Sequence, residues 1–565
     1  MIGIRYENEY LDVFPNAALS FELNNLVFSS SDSSTLPGSF SFPFDLPATA
    51  HNRAVFEFPE RIDNALIFQR EGNVEVWFRG VLFFTGTLKV TEASLTTIRA
   101  YIVANPLSAL KTTPLNELDL GGDHTFADEA AVLAHAAATT TSHLDYDYVF
   151  FPVWNRDFLE QPSDNPKCRF QNWYDSTSGA FSVDHDHPAL MPFARLDYVL
   201  QQIFANEEYQ FQNLFQTDDE LRSIVLYNNN SLWSADGLDT TINLRNHVSS
   251  TGCAAFVRKI VGAFCLGIFY NPWEKVLRLI PMQTLLDRPP VHDWTDRALY
   301  GPVITGNDAQ PEIICWKRDE SDGTWAHYDK YPKPDSIDGE LLNSGLTAAA
   351  PGTYYVIDRH SYYLKNSVPR YFFKHTTLGC APLDSGSPAF EAECQALFDV
   401  YLYGEGQTPV TDGNYVAVPH VRIKGNVEYE YDPGGGADIE VRNQEADIPD
   451  RITIYRGMYP DFDGDDYPFA SSLPWDTESN LIGQYSLRWD SQYGMYTTWW
   501  QGWHTMLKQG KQVSLSLRLS IADLLEFNFE NKIRIGNMDY LVKKLRISLT
   551  PRGIEPVEAE LVSVV

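Results

Sequence analysis

Between Val74 and Val90 the chain alternates with period two. Val74, Val76 and Phe78 share one side, Arg79-Gly80 supplies a turn, and Leu82, Phe84, Leu88 and Val90 resume the pattern. Successive side chains of a strand point to opposite faces, so this stretch demands a hairpin with one buried face. Leu19, Phe21 and Leu23 alternate upstream, Leu26-Val27-Phe28 adds a short apolar run, and residues 98–103 give a further strand before Leu107 and Leu110 close the block. Five or six short strands in about 110 residues predict a small barrel or sandwich.

One segment of this block breaks the rule for central strands. After the serine-rich residues 29–34 and a turn at Pro37-Gly38, Phe40, Phe42, Phe44 and Leu46 alternate with Pro43 and Pro47 among them. Proline donates no ladder hydrogen bond, so the segment reads as an extended arm or an edge strand. An arm of this kind can add to a neighbour's sheet edge, which makes Phe40, Phe42, Phe44 and Leu46 candidate interface residues.

The far end of the chain is also strand-rich. Val513, Leu515, Leu517 and Leu519 alternate, as do Ile533 and Ile535, followed by residues 540–547 and then Val557, Ala559, Leu561 and Ser563. No short repeat links the two blocks. Between them, residues 111–190 are irregular apart from a helix expected at 130–138. Leu196, Val199, Leu200, Ile203 and Phe204 follow helical spacing. A second helix is expected at 254–266, with Phe256, Ile260 and Phe264 on one face, running into a hairpin that turns at Asn271-Pro272-Trp273. Residues 301–450 are polar and turn-rich, with the glycine run Gly434-Gly435-Gly436 and strands expected at 353–357, 369–373 and 421–431. A chain of 565 residues exceeds one core. The reading is therefore mainly β with α+β insertions: a small barrel or sandwich at 1–120, an irregular and helical region at 121–250, a helix-plus-hairpin module at 251–300, a turn-rich β domain at 301–450 and a second small β unit at 451–565.

Charge narrows the function classes. Lys and Arg number 43 against 75 Asp and Glu, a net charge of −32. Such a chain repels nucleic acid as a whole, so specific nucleic-acid binding is not expected. Hydrophobic residues make up 44% and aromatic residues 13%, enough to exclude global disorder. No run of about 18 apolar residues is present, so no helical membrane span is expected. The first residues lack the basic-then-apolar layout of a secretory signal. Cys168, Cys253, Cys265, Cys315, Cys380 and Cys394 are scattered, without a CxxC or a histidine at zinc-ligand spacing. They read as buried free thiols of a protein made in a reducing cytoplasm.

The residues that bear chemistry give no assembled centre. Asp184-His185-Asp186-His187 is the densest ligand-like cluster, in a loop-like stretch before Pro188. Asp461, Asp463, Asp465 and Asp466 echo a calcium loop, but Gly464 is misplaced and Ser472 stands where the bidentate glutamate belongs. Both read as solvated acidic loops. No nucleophile elbow, zinc-protease helix or phosphate-cradling loop occurs. No catalytic residue, metal or cofactor is expected, and the chain is not expected to be an enzyme. Trp499, Trp500 and Trp503, with Tyr496 upstream, form an aromatic cluster. It suits packing against the block that follows, a protein interface or a sugar platform.

Four stretches in order resemble the tail hub proteins of tailed bacteriophages and related prophages, in particular those of Bacteroidetes. They are residues 37–46 with 74–90, including Phe84-Thr85-Gly86-Thr87-Leu88; the helix 196–204; and residues 256–280 with Asp293-Trp294-Thr295 downstream. The fourth is C-terminal: Ile454-Tyr455-Arg456-Gly457, Tyr467-Pro468-Phe469-Ala470-Ser471, Gly494-Met495-Tyr496 and Ile535-Gly536-Asn537-Met538-Asp539-Tyr540-Leu541-Val542, with residues 519–524 between. Together they cover about half the chain.

The resemblance implies two tube-type β-barrels plus accessory domains per subunit, and a homotrimeric ring whose six barrels face the tail tube. Its implied partners are the tail tube or distal tail protein, the tape-measure protein and a spike or fibre. Its implied place is the virion tail tip, after assembly in the bacterial host cytoplasm, with a part in the DNA exit channel that an anionic lumen would serve. The rival readings are a receptor- or carbohydrate-binding tail protein, the hub of a contractile injection system and a tail-associated cell-wall hydrolase.

Overall fold

The computed structural model describes residues 2–564, apart from 29–38, 64–67, 69–70, 105–112, 156, 160–169, 184–188, 206–209, 235, 272–275, 300, 307–312, 320, 325–353, 359–360, 366–371, 377–379, 382–388, 404–414, 432–438, 444–445 and 477–479. The protein is mainly β and divides into two compact units. The first combines residues 1–109, 265–310 and 501–565, and the second combines 110–264 and 311–500. The helix expected within 254–266 and the hairpin after it therefore lie in different units, and residues 451–500 belong to the second.

The first unit is built on one fifteen-stranded sheet. Its hydrogen-bonded path runs Glu9–Leu11, Ile2–Tyr6, Glu71–Phe78, Val81–Ala93, Thr97–Ala104, Ser39–Ser41, Leu19–Asn24, Met538–Thr550, Val557–Val564, Lys511–Leu517 and Val303–Gly306. The strand-rich blocks at the two ends of the chain thus share a sheet. They also share a core, in which Phe21, Val76, Ile98 and Ile102 pack with Leu517, Leu545, Ile547 and Leu561.

Local chemistry explains the best-defined hairpin. Arg79 and Gly80 adopt φ of 50° and 82°, both left-handed, as a two-residue turn matched to strand twist requires. Val74, Val76 and Phe78 turn inward and are buried, as the alternation demands. At Gly86 a Cβ would lie 2.6 Å from the Val103 carbonyl oxygen, so a side chain there would push the neighbouring strand away. The glycine in Phe-Thr-Gly-Thr-Leu is therefore set by close strand approach.

The second unit holds the longer helices. Leu196–Ala205 buries Leu196, Val199, Leu200, Ile203 and Phe204, the five residues at helical spacing. Cys253–Ala263 buries Phe256, Val257 and Ile260. Glu129–Thr141 starts where the Asp128 side chain accepts a hydrogen bond from the Ala131 amide. A seven-stranded sheet runs Phe170–Gln171, Val153–Asn155, Ala417–Val421, Phe398–Tyr403, Phe372–Thr376, Ser361–Lys365 and Tyr354–Asp358. Ile224–Leu226, Ile452–Pro460 and Asp466–Ala470 form a separate three-stranded sheet.

Candidate functional site

The junction of the two strand-rich blocks carries a connected set of polar contacts in the first unit. Leu19–Asn24 pairs antiparallel with Met538–Thr550, placing Phe21 opposite Ile547 and Glu22 opposite Arg546. The Ser20 and Ser548 hydroxyls meet at 2.9 Å. Asn25 extends the junction, its side-chain amide donating to the Val542 carbonyl at 2.9 Å and its backbone amide to Lys543 at 3.0 Å. Glu22 is buried and accepts from Arg546 Nε at 2.8 Å, with Lys544 Nζ at 3.3 Å. Burial alone raises its pKa, but the two cations outweigh it and hold the carboxyl below its ordinary range.

The proline-bearing arm lies within this same sheet. Ser39–Ser41 pairs with both Leu19–Asn24 and Thr97–Ala104, and Phe44–Pro47 pairs with Thr97–Ala104. Phe44 and Leu46 are buried in the core, whereas Phe42 is 40% exposed. Phe40 is half-buried and packs edge-on against Phe42, ring centroids 5.7 Å apart. Of the four arm residues, Phe40 and Phe42 present surface.

The three tryptophans divide between the units, and all are buried. In the second unit, the Tyr496–Trp500 segment forms one π-helical turn. There Trp499 stacks on Tyr485 at 5.5 Å, and Trp500 packs on Phe390 at 4.8 Å while donating its indole N–H to the Ala263 carbonyl. In the first unit, Trp503 lies on the helix Gln501–Gln509 and packs on Phe28 at 5.5 Å.

The surface that sequence reasoning missed is the last strand of the long sheet. Val303–Gly306 pairs on one side with Lys511–Leu517, from Val303 opposite Ser514 to Gly306 opposite Lys511. Among the described residues no strand pairs with its other side. All four residues are exposed, with Val303 at 65% and Ile304 at 57%. Proteins usually blunt a free edge with charge, proline or brevity, and these four residues carry neither charge nor proline. At the opposite end of the path, Glu9–Leu11 is only three residues long and carries an exposed glutamate. A four-residue edge with three β-branched side chains was too short to stand out in the turn-rich sequence around it.

An apolar recess of about 190 Å³ also opens in the first unit, lined by Leu23, Leu26, Phe83, Phe84, Phe269 and Phe527 among others. Elsewhere the buried charges are used structurally. Arg456 binds Glu220, whose carboxylate also accepts from the Gln484 amide at 2.6 Å and the Tyr485 amide at 3.1 Å. Buried Arg451 reaches Asp319 at 2.9 Å and Asp322 at 3.1 Å. Asp399 is fully enclosed and accepts from the Ser472 amide; burial pushes its pKa up to about 7. His143 donates to or accepts from Ser223 at 2.8 Å, and burial lowers its pKa to about 4.

The acidic segment at 461–466 is a turn in which one Asp461 oxygen accepts from the Asp463 and Asp465 amides at 2.8 and 3.0 Å. Asp184-His185-Asp186-His187 lies outside the described residues, as does Cys168. Cys253, Cys265 and Cys394 are buried free thiols and Cys315 is half-buried. Among the described residues no three potential ligands gather into a metal site, and no helix is long and apolar enough to cross a membrane.

No family model matches the chain, and no curated protein does. Two solved structures resemble it weakly along its whole length. The 43 kDa tail protein of prophage MuSo2 from Shewanella oneidensis aligns with a TM-score of 0.34 and 7% identity, covering 100% of this chain and 98% of that one. The tail protein from Neisseria meningitidis MC58 aligns with a TM-score of 0.31 and 6% identity, covering 99% and 95%. At those scores the likeness fixes neither fold nor function.

Proposed function

We propose that the chain is a structural subunit of a bacteriophage tail or a phage-like particle, acting as a hub at the distal tail end. Its work is assembly rather than catalysis: it joins the tail tube to the tip and forms part of the DNA exit channel. The observation that carries this reading is the uncharged edge strand Val303–Gly306, exposed with Val303 and Ile304 at the end of a sheet built from both strand-rich blocks of the chain. Such an edge suits main-chain pairing with another subunit, where ladder hydrogen bonds give affinity and alternate side chains give specificity. The ordered set of hub-like stretches in the sequence supports the same reading.

In this proposal three copies form a ring, and the tube, tape-measure and spike or fibre proteins bind it in the virion. The net charge of −32 then lines the channel with carboxylates that neither trap nor adsorb the departing genome. Mass photometry at micromolar concentration, alone and with its tube partner, tests the reading. A trimer with a ring visible by negative-stain microscopy is expected, and a stable monomer under both conditions overturns it.

A further inference from the structure

Tyr148 lies between two histidines in the second unit. Its hydroxyl is 2.8 Å from His135 Nε2 and 3.2 Å from His124 Nδ1. His135 projects from the helix Glu129–Thr141, and Tyr148 begins the short strand Tyr148–Val149 that pairs with Phe193–Ala194. His124 sits in the strand Asp123–Thr125, which pairs antiparallel with Thr241–Asn243. The trio therefore ties an outer strand pair to a helix and an inner strand. Its rings are close, with His124 and His135 centroids 5.7 Å apart and Phe126 packed on His135 at 4.8 Å.

Proton counting limits what this arrangement tolerates. A phenol has one proton to give, so one imidazole accepts it while the other donates its own N–H to the phenol oxygen. The donating imidazole can be charged without loss. A second proton must go to the accepting nitrogen, which takes that acceptor away from the Tyr148 hydroxyl and sets two cations against each other across 5.7 Å. Tyr148 is 5% exposed, while His124 beside its hydroxyl is exposed, so water replaces the lost hydrogen bond only as His124 moves aside.

The other charged and titratable groups around the trio do not remove this limit. Asp123 already accepts from the Asn243 side chain at 2.6 Å, and Asp128 caps its own helix. Glu129 lies beside Gly237. Asp147 is the carboxylate whose field reaches His124; it is exposed, and desolvation holds its own pKa above the ordinary value despite the nearby Arg195. Tyr146 packs edge-on against His135. Tyr198 lies near Asp147 and Asp119, and the strand Thr241–Asn243 brings no titratable group.

We infer that His124, His135 and Tyr148 form an acid-sensitive latch that holds the strand pair Asp123–Thr125 and Thr241–Asn243 closed near neutral pH and releases it when both imidazoles are protonated. Burial and the neighbouring His124 lower the affinity of His135 for a proton, which places its charging below the ordinary histidine range. The latch lies wholly within the second unit and does not depend on the assembly reading above.

Hydrogen exchange of the full-length protein, read by mass spectrometry at about pH 7 and about pH 4.5 and corrected for intrinsic exchange, tests it. Peptides covering 121–127 and 239–245 are expected to exchange at least about tenfold faster at the acid pH, while the helix Cys253–Ala263 keeps its protection. His124→Gln combined with His135→Gln should abolish that acid response. Tyr148→Phe should speed exchange of the same peptides already at neutral pH. Unchanged wild-type protection at acid pH overturns the proposal. So does an acid response in the double variant equal to that of wild type, or an equal acid response throughout the second unit.

Discussion

Glu22 and Arg546 face one another in register across the strand pair that joins the two ends of the chain, with carboxylate and guanidinium 2.8 Å apart. Lys544 completes the group from two residues away on the same strand. Because Glu22 is buried while its partners reach solvent, the pair is stronger than a surface bridge and weaker than a fully enclosed one.

Replacing Glu22 with Gln should destabilise the first unit by about 1–2 kcal/mol at neutral pH. The folded pKa of Glu22 is depressed from 4.5, so its contribution is complete above that value and is lost as pH falls through the folded pKa. Urea unfolding, followed through exchange of Met538–Thr550 amides, should show wild type and Glu22→Gln converging in strongly acid solution.

Leu46→Ala and Phe42→Ala separate core from surface within one short arm. Leu46 is fully buried, and its truncation should cost about 2–5 kcal/mol. Phe42 is 40% exposed, and its truncation should cost less than about 1 kcal/mol. If Phe42 contacts a partner, Phe42→Ala lowers assembly without lowering the urea midpoint, a split that Leu46→Ala cannot produce.

Ile304→Lys places a charge on the free edge. Ile304 is 57% exposed, so the stability of the isolated chain should change by no more than about 0.5 kcal/mol. Oligomer formation should fall sharply, because an edge lysine opposes strand addition. Mass photometry of the variant beside wild type measures both species directly.

Asp399 gives the second unit an opposite pH dependence. Its pKa is raised to about 7 in the fold, so the folded state holds a proton that the unfolded chain releases. Stability is then greatest below the ordinary carboxyl pKa and is lost as pH rises towards about 7. Asp399→Asn should flatten that loss, visible as a smaller fall in the thermal midpoint between about pH 5 and about pH 7.5.

Local pattern made much of the architecture legible. The hairpin around Arg79-Gly80, the helix Leu196–Ala205 and the strand Val557–Val564 lie where period and turn chemistry put them. Pairing across long separations was not legible. Alternation shows which face of Leu19–Asn24 is buried but not that its partner is Met538–Thr550, since any strand with matching faces satisfies the same rule. The tryptophans show the same limit. Their composition suits an interface or a core equally, and only the rings around them, Tyr485, Phe390 and Phe28, decide that they are enclosed. Glu22 carried no signal at all, because its role depends on cations more than 500 residues away.

The shared sheet also sets an order of events on the ribosome. Leu19–Asn24 is synthesised more than 500 residues before Met538–Thr550, the strand that completes it. At typical elongation rates the wait is roughly half a minute to two minutes, during which the whole second unit is synthesised and free to fold. Leu19–Asn24 is thus made long before it can be sealed. Until then Phe21 and Leu23 lack the strand that covers them, and slow translation or premature termination should expose this protein to aggregation through Leu19–Asn24.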